Sequence, residues 1–345
     1  MPGPKLRRKS LPPKFAIAAG KFVWTTMWQT MMGSLAPSSK DGAYQRPSSQ
    51  FRARISTASD CLYSPASGRY RLFVGLSCPW AHRTLVVREL KGLQDVVPVT
   101  IATADASEGG WVLPERDEGC RRLADLYKLA APAYTGRCTV PVLWDSHTKA
   151  IVNNESAEII EILNSGLNDW AQHSDVDLYP QELREECDRW NAKIYSAVNN
   201  GVYRCGFAQT QAAYDGAVTE LFDMLDEIDR LLGQCRYLCG DRLTLADVRL
   251  FTTLIRFDAV YHGLFKCNRR RIRDYEHLWG YLRELYQMPG IADTCDLEAL
   301  KQEYYTSLFP LNPGGIVPIA PDPQLLHSPH RRGELARSQP VSPTQ

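Results

Sequence analysis

The sequence lacks a large net charge of either sign, and it lacks an apolar run long enough to span a bilayer. Its 40 basic and 39 acidic residues leave a formal charge of +1. No overall field would therefore attract nucleic acid or an anionic membrane. A membrane span requires about 20 apolar residues. Lys21 interrupts the apolar stretch near the N-terminus before the stretch reaches this length. We expect a protein that binds no nucleic acid and has no stable membrane insertion.

The N-terminal segment nevertheless has a basic start followed by bulky apolar residues. It reads MPGPKLRRKSLPPKFAIAAGKFVWTTMWQTMMGSLAP. Trp24, Met27 and Trp28 do not form the cleavage site of small residues that ends a secretory signal. Two interpretations stay open: the segment packs on the protein, or it rests loosely on a membrane surface. The sequence favours packing.

Clustered cysteines are also missing. The ten cysteines are spread from Cys61 to Cys295, unlike those of small disulfide-rich secreted proteins. The one close pair, Cys235 and Cys239, has no nearby Cys/His pair that would complete a tetrahedral zinc site. We expect reduced cysteines, a cytoplasmic location and no metal.

The length of 345 residues favours two domains, an α/β domain followed by an all-α domain. We predict an N-terminal extension and extended lead-in (1–68), a thioredoxin-like domain (69–170), an all-helical domain (171–320) and a disordered tail (321–345). The elements predicted for the thioredoxin-like domain are strand Tyr70–Leu76, helix Pro79–Lys91, strand Val96–Ile101, an irregular stretch containing GGWVLPERDEG, helix Cys120–Ala130, strand Val140–Trp144, strand Ala150–Val152 and helix Glu155–Leu163.

Helical spacing dominates the chain from residue 180 to residue 300. One helix face carries Leu183, Cys187, Trp190, Ile194 and Val198, which recur every three or four residues. A later helix begins at TLADVRLF, where Thr244 and Asp247 form a capping box. This region is therefore predicted to be entirely helical.

A lone cysteine stands between a predicted strand and a predicted helix. In LSCPWAHR, residues 76–83, Cys78 precedes a proline that fits a first helical turn. Amide N–H groups and the helix dipole favour the thiolate at this position, and His82 and Arg83 could add positive potential. The alternative, a small buried hydrophobe, stays open on spacing alone. Because Ala81 replaces the second thiol of a C-x-x-C pair, a reactive Cys78 would need an external thiol for turnover.

Two further motifs bear on this thiol. TVPVLWD places Pro141 at a strand start, where thioredoxin-like domains have a cis proline facing the thiol, although a structural edge proline is the alternative. NNES places Glu155 and Ser156 at another helix start, where they could hold the α-amino-acid end of a ligand such as the γ-glutamyl end of glutathione. The alternative there is an ordinary capped helix.

Together these motifs resemble the glutathione transferase fold, and more narrowly the glutathionyl-hydroquinone reductases, also called the Xi class. The resemblance covers about residues 45–320 and rests on LSCPWAHRTLVVRELKGL, GGW, GRCTVPVLWD, IVNNESAEII, NNGVYRCGFAQTQAAY, LTLADVRLFTTLIRFDAVYHGLFKCNRRRI and EYYTSLFPLNPGGIVP. It implies an N-terminal thioredoxin-like domain that binds glutathione, a C-terminal helical domain that binds the substrate, and a homodimer.

The resemblance also implies roles for particular residues. Cys78 would attack the sulfur of a glutathionyl-hydroquinone, form a mixed disulfide with glutathione and release the hydroquinone, and a second glutathione would resolve it. The residues implied for glutathione binding are Trp111, Val140, Pro141, Glu155 and Ser156. The tyrosines implied for the quinone side are Tyr203, Tyr261 and Tyr304, and for each of them the alternative is an amphipathic core residue.

Two positions depart from the family pattern. Leu113 stands where an aromatic residue is usual, and Glu303 stands where a histidine usually precedes the paired tyrosines. The second departure leaves open whether Tyr304 or Tyr305 faces the substrate. Two rival functions also stay open: an omega-like thiol transferase or dehydroascorbate reductase, and a non-catalytic scaffold with the same fold.

Overall fold

A four-stranded mixed sheet forms the centre of the N-terminal half of the protein. The structure is a computed structural model that describes residues 13–46, 48–58, 61–105 and 108–337. Its strands are β1 (Tyr70–Val74), β2 (Val99–Ile101), β3 (Thr103–Asp105), β4 (Gly110–Asp117), β5 (Cys120–Arg122), β6 (Val142–Asp145) and β7 (Ala150–Asn153). The central sheet has the order β2-β1-β6-β7, in which only the β1–β2 pair is parallel.

The helices surround this sheet and then form the C-terminal half. They are α1 (Pro13–Leu35), α2 (Pro79–Leu90), α3 (Leu123–Ala130), α4 (Ser156–Glu161), α5 (Arg184–Ile194), α6 (Gly201–Gly206), α7 (Gln211–Leu232), α8 (Leu245–Arg256), α9 (Leu278–Tyr286) and α10 (Leu297–Ser307). α2 connects the parallel strands β1 and β2, and α4 follows the β6–β7 hairpin. The predicted plan, a thioredoxin-like domain followed by a helical domain, is confirmed.

The apolar sequence of β1 follows from its central place in the sheet. Leu72, Phe73 and Val74 are fully buried, because β1 has a neighbouring strand on each side and helices pack against the sheet. Thr244 and Asp247 make the predicted capping box at the start of α8, with the Thr244 N–H donating to Asp247 Oδ2 at 2.8 Å. The capping box was predicted from local sequence, and this prediction is confirmed.

The stretch that contains GGWVLPERDEG was predicted to be irregular, and this prediction is wrong. It forms a second, antiparallel sheet of order β3-β4-β5. Gly109 and Gly110 reverse the chain before β4 with φ of 80° and 140°, a backbone conformation that favours glycine. Pro114 lies where the β4–β5 register shifts, which is a position that tolerates proline within a strand. Because Cys120–Arg122 form β5, the helix predicted from residue 120 begins at residue 123.

Helix α1 packs on the protein only at its C-terminal end. Met32 and Ala36 are fully buried, and Trp28 and Leu35 pack against the same core. The prediction of packing is therefore confirmed for this end alone. Within the described ranges, no helix combines the length and the apolar character that a bilayer crossing requires.

The tail was predicted to be disordered from residue 321, and this is wrong for its first part. Residues 322–337 include two 3-10 helices, Pro323–His327 and Arg332–Arg337. Arg332 is 4% exposed and donates to Glu284 Oε2 at 3.1 Å and to the carbonyl of Arg236 at 2.7 Å. Composition alone missed this buried anchor, because a single arginine binds groups that lie far away in the sequence. Residues 338–345 lie outside the described residues.

All ten cysteines lie within the described residues, and all are free thiols. Across the ranges that the structure covers, no group of three or more histidine, cysteine, aspartate or glutamate residues is placed to hold a metal ion. The domain boundary near residue 170 stays a prediction.

Candidate active site

A cavity of about 490 Å³ lies between the sheet domain and the helical domain. Its wall includes the start of α2, β4, the loop before β6, α6 and α10, and the lead-in closes one side. The predicted site residues that line it are Cys78, Trp111, Val140, Tyr203 and Tyr304. The predicted residues that lie behind the wall are Pro141, Glu155, Ser156 and Tyr261.

Cys78 is the N-cap residue of α2, as predicted. The chain leaves β1 at residue 74, and the Cys78 N–H donates to the carbonyl of Gly75 at 3.1 Å. Pro79 then begins the helix, where the missing N–H leaves no hydrogen bond unmade. The Cys78 Sγ lies 3.7 Å from the Val140 carbonyl oxygen, to which the thiol can donate. The thiol is therefore held between a helix start and the loop before β6.

The groups around the Cys78 sulfur act on its pKa in opposite directions. Burial raises the pKa of the Cys78 thiol, and this effect is larger than the opposing ones. The N–H groups of Ala81 and Trp80 and the guanidinium groups of Arg46 and Arg256 act to lower it. Cys78 is half-buried at the cavity wall, and the sequence showed the helix start but not these surroundings.

His82 does not supply the positive potential that its position suggested, whereas the Arg83 guanidinium does interact electrostatically with the Cys78 sulfur. His82 Nδ1 accepts from Arg256 at 2.8 Å, so its proton lies on Nε2, which donates to Thr294 Oγ1 at 2.8 Å. Burial and the Arg256 charge hold the pKa of His82 well below its usual value, and the ring is therefore neutral. Arg83 also donates to Asn199 Oδ1 at 2.8 Å, within the protein interior.

The peptide bond between Val140 and Pro141 is cis, which confirms the prediction for this proline. Val140 is 5% exposed and lines the cavity beside Cys78. The residue before Val140 is Thr139, and its carbonyl accepts a hydrogen bond from the Tyr127 hydroxyl at 2.8 Å. The loop thus presents its backbone to the thiol.

Trp111 reaches the cavity from β4 and packs against the turn that precedes Cys78. It pairs with Ala104 across the small sheet. A Cβ atom added to Gly75 would lie 2.2 Å from the Trp111 ring, so only glycine allows this close approach. Leu113, where the family usually has an aromatic residue, is 3% exposed and packs in the core instead of at the cavity wall.

Glu155 and Ser156 lie at the start of α4, one layer behind the cavity wall. Glu155 Oε2 accepts from Ser49 Oγ at 3.0 Å, and Ser49 itself lines the cavity. Glu155 Oε1 accepts from the Ala157 N–H at 3.2 Å, which is an ordinary helix cap. Ser156 is 2% exposed, and its hydroxyl oxygen lies 3.5 Å from Arg83 Nη1. The structure thus places both residues next to the cavity without exposing Ser156 to it.

The tyrosines form a hydrogen-bonded group at the opposite side of the cavity. The Tyr203 and Tyr304 hydroxyl oxygens are 2.6 Å apart, and those of Tyr304 and Tyr261 are 3.2 Å apart. Tyr261 is fully buried and reaches the cavity only through Tyr304. The Tyr305 hydroxyl points elsewhere, 3.5 Å from the Ala259 carbonyl oxygen. Tyr304, and not Tyr305, faces the cavity.

Several cavity residues were not singled out from the sequence. Arg46 lines the cavity and lies 3.8 Å from the centre of the Trp80 ring, which also lines it. Arg137 and Glu303 complete the charged groups of the wall. Arg137 stands within the quoted motif GRCTVPVLWD, whereas Arg46 lies in a lead-in segment whose composition gave no functional signal.

Comparisons with known proteins agree on one family. The model described as "Glutathione S-transferase, N-terminal domain" matches residues 77–165, and "Glutathione S-transferase, C-terminal domain" matches residues 211–284. Glutathionyl-hydroquinone reductase PcpF of Sphingobium chlorophenolicum is 45% identical over 87% of this chain and 94% of that protein. Glutathione S-transferase omega-like 2 of Schizosaccharomyces pombe is 43% identical over 84% of this chain and 96% of that protein. The glutathione-bound structure of YqjG, a glutathione transferase homolog from Escherichia coli K-12, superimposes with a TM-score of 0.77 at 42% identity, covering 85% of this chain and 98% of that one.

Proposed function

The chain belongs to the glutathione transferase family, in the group of glutathionyl-hydroquinone reductases, and we propose that it reduces glutathionyl-hydroquinones to hydroquinones with glutathione as co-substrate. One observation carries this proposal: a single thiol, Cys78, shares a cavity with the hydrogen-bonded phenols of Tyr203 and Tyr304. The thiol suits attack on a glutathione sulfur, and the phenols suit contact with the oxygens of an aromatic diol.

In the first step, the Cys78 thiolate attacks the sulfur of the bound conjugate. A Cys78–glutathione disulfide bond forms and the bond between sulfur and the aromatic ring breaks. The electron pair of that bond goes to the ring carbon, which takes up one proton, so the product is the free hydroquinone. A proton donor close to the ring assists this departure, and we assign this role to the neutral phenols of Tyr203 and Tyr304 in the cavity wall.

In the second step, a further glutathione attacks the mixed disulfide and leaves as glutathione disulfide. The Cys78 thiol is regenerated, and the two steps together oxidise two glutathione sulfurs while the ring carbon is reduced. An external thiol is required because Ala81 occupies the position of a second cysteine.

We assign the glutathione moiety to the space between the Cys78 thiol and the start of α4. We assign the cysteinyl part to the Val140 backbone beside cis-Pro141, and one face of the ligand to Trp111. We assign Glu155 and Ser156 to the γ-glutamyl end. Glutathione binding would then replace the hydrogen bond from the Ser49 hydroxyl to Glu155 Oε2. The guanidinium groups of Arg46 and Arg137 in the wall suit the two carboxylates of glutathione.

The deprotonated sulfur must be stabilised at the moment of attack, because burial favours the neutral thiol. The Ala81 and Trp80 N–H groups and the charges of Arg46 and Arg256 all favour the thiolate. These groups are fixed before the reaction, so they need little reorganisation when the charge forms.

A thiol transferase activity on simple mixed disulfides is the second candidate, since three relatives are named omega-like glutathione S-transferases. Both functions use Cys78 as the nucleophile. They differ in the group of the substrate that would lie beside the tyrosines of the cavity. The phenol group of Tyr203, Tyr304 and Tyr261 favours the aromatic substrate.

The deciding experiment measures hydroquinone release from a glutathionyl-hydroquinone in the presence of glutathione. We expect release by the unchanged protein and none by Cys78→Ser, with a Cys78–glutathione adduct detectable by mass spectrometry. An active serine variant would exclude the mechanism. Faster turnover of simple mixed disulfides than of quinone conjugates would favour the thiol transferase.

The compartment and the assembly complete the proposal. Ten free cysteines fit a reducing compartment, so we assign the protein to the cytoplasm. The family also favours a homodimer, and sedimentation equilibrium would measure it.

A further inference from the structure

The outer part of α1 presents large apolar side chains to solvent. They are Phe15 (58% exposed), Ile17 (60%), Phe22 (73%), Val23 (55%), Trp24 (48%) and Met27 (50%). Helices of globular proteins bury such residues, and contiguous exposed apolar groups mark a binding surface. Nothing in the proposed reaction uses this surface.

The exposed residues point in several directions around the helix. Phe22, Val23 and Trp24 are consecutive, and successive side chains of a helix point about 100° apart. A protein partner docked on one side would cover a single stripe of such a helix. A helix that lies at the boundary between lipid headgroups and acyl chains buries its apolar side chains there, and this boundary suits the amphipathic ring of Trp24. The choice of lipid over a second protein therefore depends on Trp24 and on the charge of the segment.

The charge of the segment points to anionic lipid. Residues 1–39 contain six basic residues and no acidic residue, although the whole chain has a formal charge of only +1. Lys14 and Lys21 are exposed on α1, and their spacing of seven residues places them on the same side of the helix. Long basic side chains can reach lipid phosphates while apolar neighbours enter the membrane. The other four basic residues precede α1 in the sequence and lie outside the described residues.

The inner end of α1 is fixed beside the cavity. Trp28 Nε1 donates to the Pro310 carbonyl at 3.2 Å, Met32 is fully buried, and Leu35 lines the cavity. The helical rise from Trp24 to Leu35 is about 16 Å. A bilayer that holds Trp24 would therefore lie within about this distance of Leu35 in the cavity wall.

We propose that α1 is a membrane-surface helix that binds anionic lipid bilayers and holds the cavity near the bilayer surface. The helix lies in the interface and does not cross it, in agreement with the absence of a membrane-spanning helix from the described ranges. Lipid binding is independent of the proposed reaction, and each can be tested without the other.

Co-sedimentation of the full chain with lipid vesicles tests the proposal. We expect binding to vesicles of phosphatidylcholine mixed with phosphatidylglycerol, weaker binding to phosphatidylcholine alone, and loss of the difference at high salt. The double variant Lys14→Gln, Lys21→Gln should bind the mixed vesicles about 25-fold more weakly, since each basic residue near an anionic surface contributes about fivefold. Binding that is equal for both vesicle types and insensitive to salt would overturn the proposal.

A second pair of variants tests the apolar side. Phe15→Ser with Phe22→Ser should abolish vesicle binding, and the exposure of both side chains leaves the core intact, which circular dichroism can verify. The matched control is Ile316→Ser with Ile319→Ser, which removes two apolar residues that are 77% and 95% exposed elsewhere. The control should bind like the unchanged chain. If Phe15→Ser with Phe22→Ser bound vesicles like the unchanged chain, the proposal would be overturned. It would also be overturned if the unchanged chain bound no vesicles and formed a dimer that this double variant disrupts.

Discussion

Tyr203 and Tyr304 are joined by a hydrogen bond of 2.6 Å between their hydroxyl oxygens at the cavity wall. Tyr261 extends the group from behind, 3.2 Å from Tyr304. Burial raises the pKa of all three phenols, so each stays protonated at neutral pH. Three hydroxyl groups need only two O–H donors for their own hydrogen bonds, which leaves one proton that can be donated to a ligand.

Tyr304→Phe should therefore impair the proposed reaction more than the binding of glutathione. We expect kcat/KM for a glutathionyl-hydroquinone to fall about tenfold to hundredfold, because one hydrogen bond to developing charge contributes about 1.5–3 kcal/mol. Steady-state kinetics and calorimetric titration with glutathione measure the two effects separately. The matched control is Tyr305→Phe, since the Tyr305 hydroxyl lies at the Ala259 carbonyl and outside the cavity wall. Equal losses in the two variants would contradict the assignment.

The reactivity of Cys78 should increase steadily with pH. Because burial raises the pKa of this thiol above the ordinary value of 9.0, the thiolate fraction in the free protein still grows as the pH passes 9.0. Alkylation by iodoacetamide, followed by mass spectrometry of the Cys78 peptide, measures this rate. Arg46→Gln should shift the profile to still higher pH, since the Arg46 guanidinium lowers the thiol pKa. A rate that reaches its plateau near neutral pH would show that the thiol is activated in the free protein.

Local signals made the centre of the site predictable from the sequence. The proline after Cys78 marked the helix start, and the proline in TVPVLWD marked the cis peptide bond before β6. The capping box of Thr244 and Asp247 needs only four consecutive residues. Each of these features is determined by neighbours in the chain, so the sequence contains the information directly.

Features that depend on distant contacts could not be predicted in this way. The neutral state of His82 depends on Arg256, which is 174 residues away in the sequence. The place of Arg46 in the cavity wall depends on its contact with the Trp80 ring. The second sheet was missed because a proline and a register shift interrupt the alternation of β4. Burial of the Cys78 sulfur likewise follows from the whole fold.

Arg332 provides a test of the ordered tail. Its guanidinium bonds Glu284 and the carbonyls of Leu232, Cys235 and Arg236, all at 3.1 Å or less. Arg332→Ala removes the donor of these hydrogen bonds and leaves the buried acceptors without it. The substitution should lower the free energy of unfolding by about 3 kcal/mol. Urea denaturation measures the change.

The control for this prediction is the neighbouring exposed arginine. Arg331→Gln should change the free energy of unfolding by less than about 0.5 kcal/mol. If Arg332→Ala were as stable as this control, the tail would not contribute to the folded core.

Glu303 connects α10 to the strand that supports Trp111. Its Oε1 accepts from the Ala104 N–H at 3.3 Å, and Ala104 pairs with Trp111 between β3 and β4. Its Oε2 is buried and has no hydrogen-bond partner among the described residues. Glu303 thus holds the strand that pairs with Trp111, the residue to which we assign one face of glutathione.

Glu303→Ala should consequently raise the KM for glutathione about fivefold with little change in kcat, since one hydrogen bond contributes about 1 kcal/mol. Initial rates over a range of glutathione concentrations separate the two parameters, and tryptophan fluorescence reports the mobility of Trp111. Glu303→Gln is the matched control, because its amide oxygen can still accept from the Ala104 N–H at the same reach. A fall in kcat at constant KM would instead place the Glu303 carboxylate at the reacting atoms, where its unpartnered oxygen could hold a proton during release of the hydroquinone.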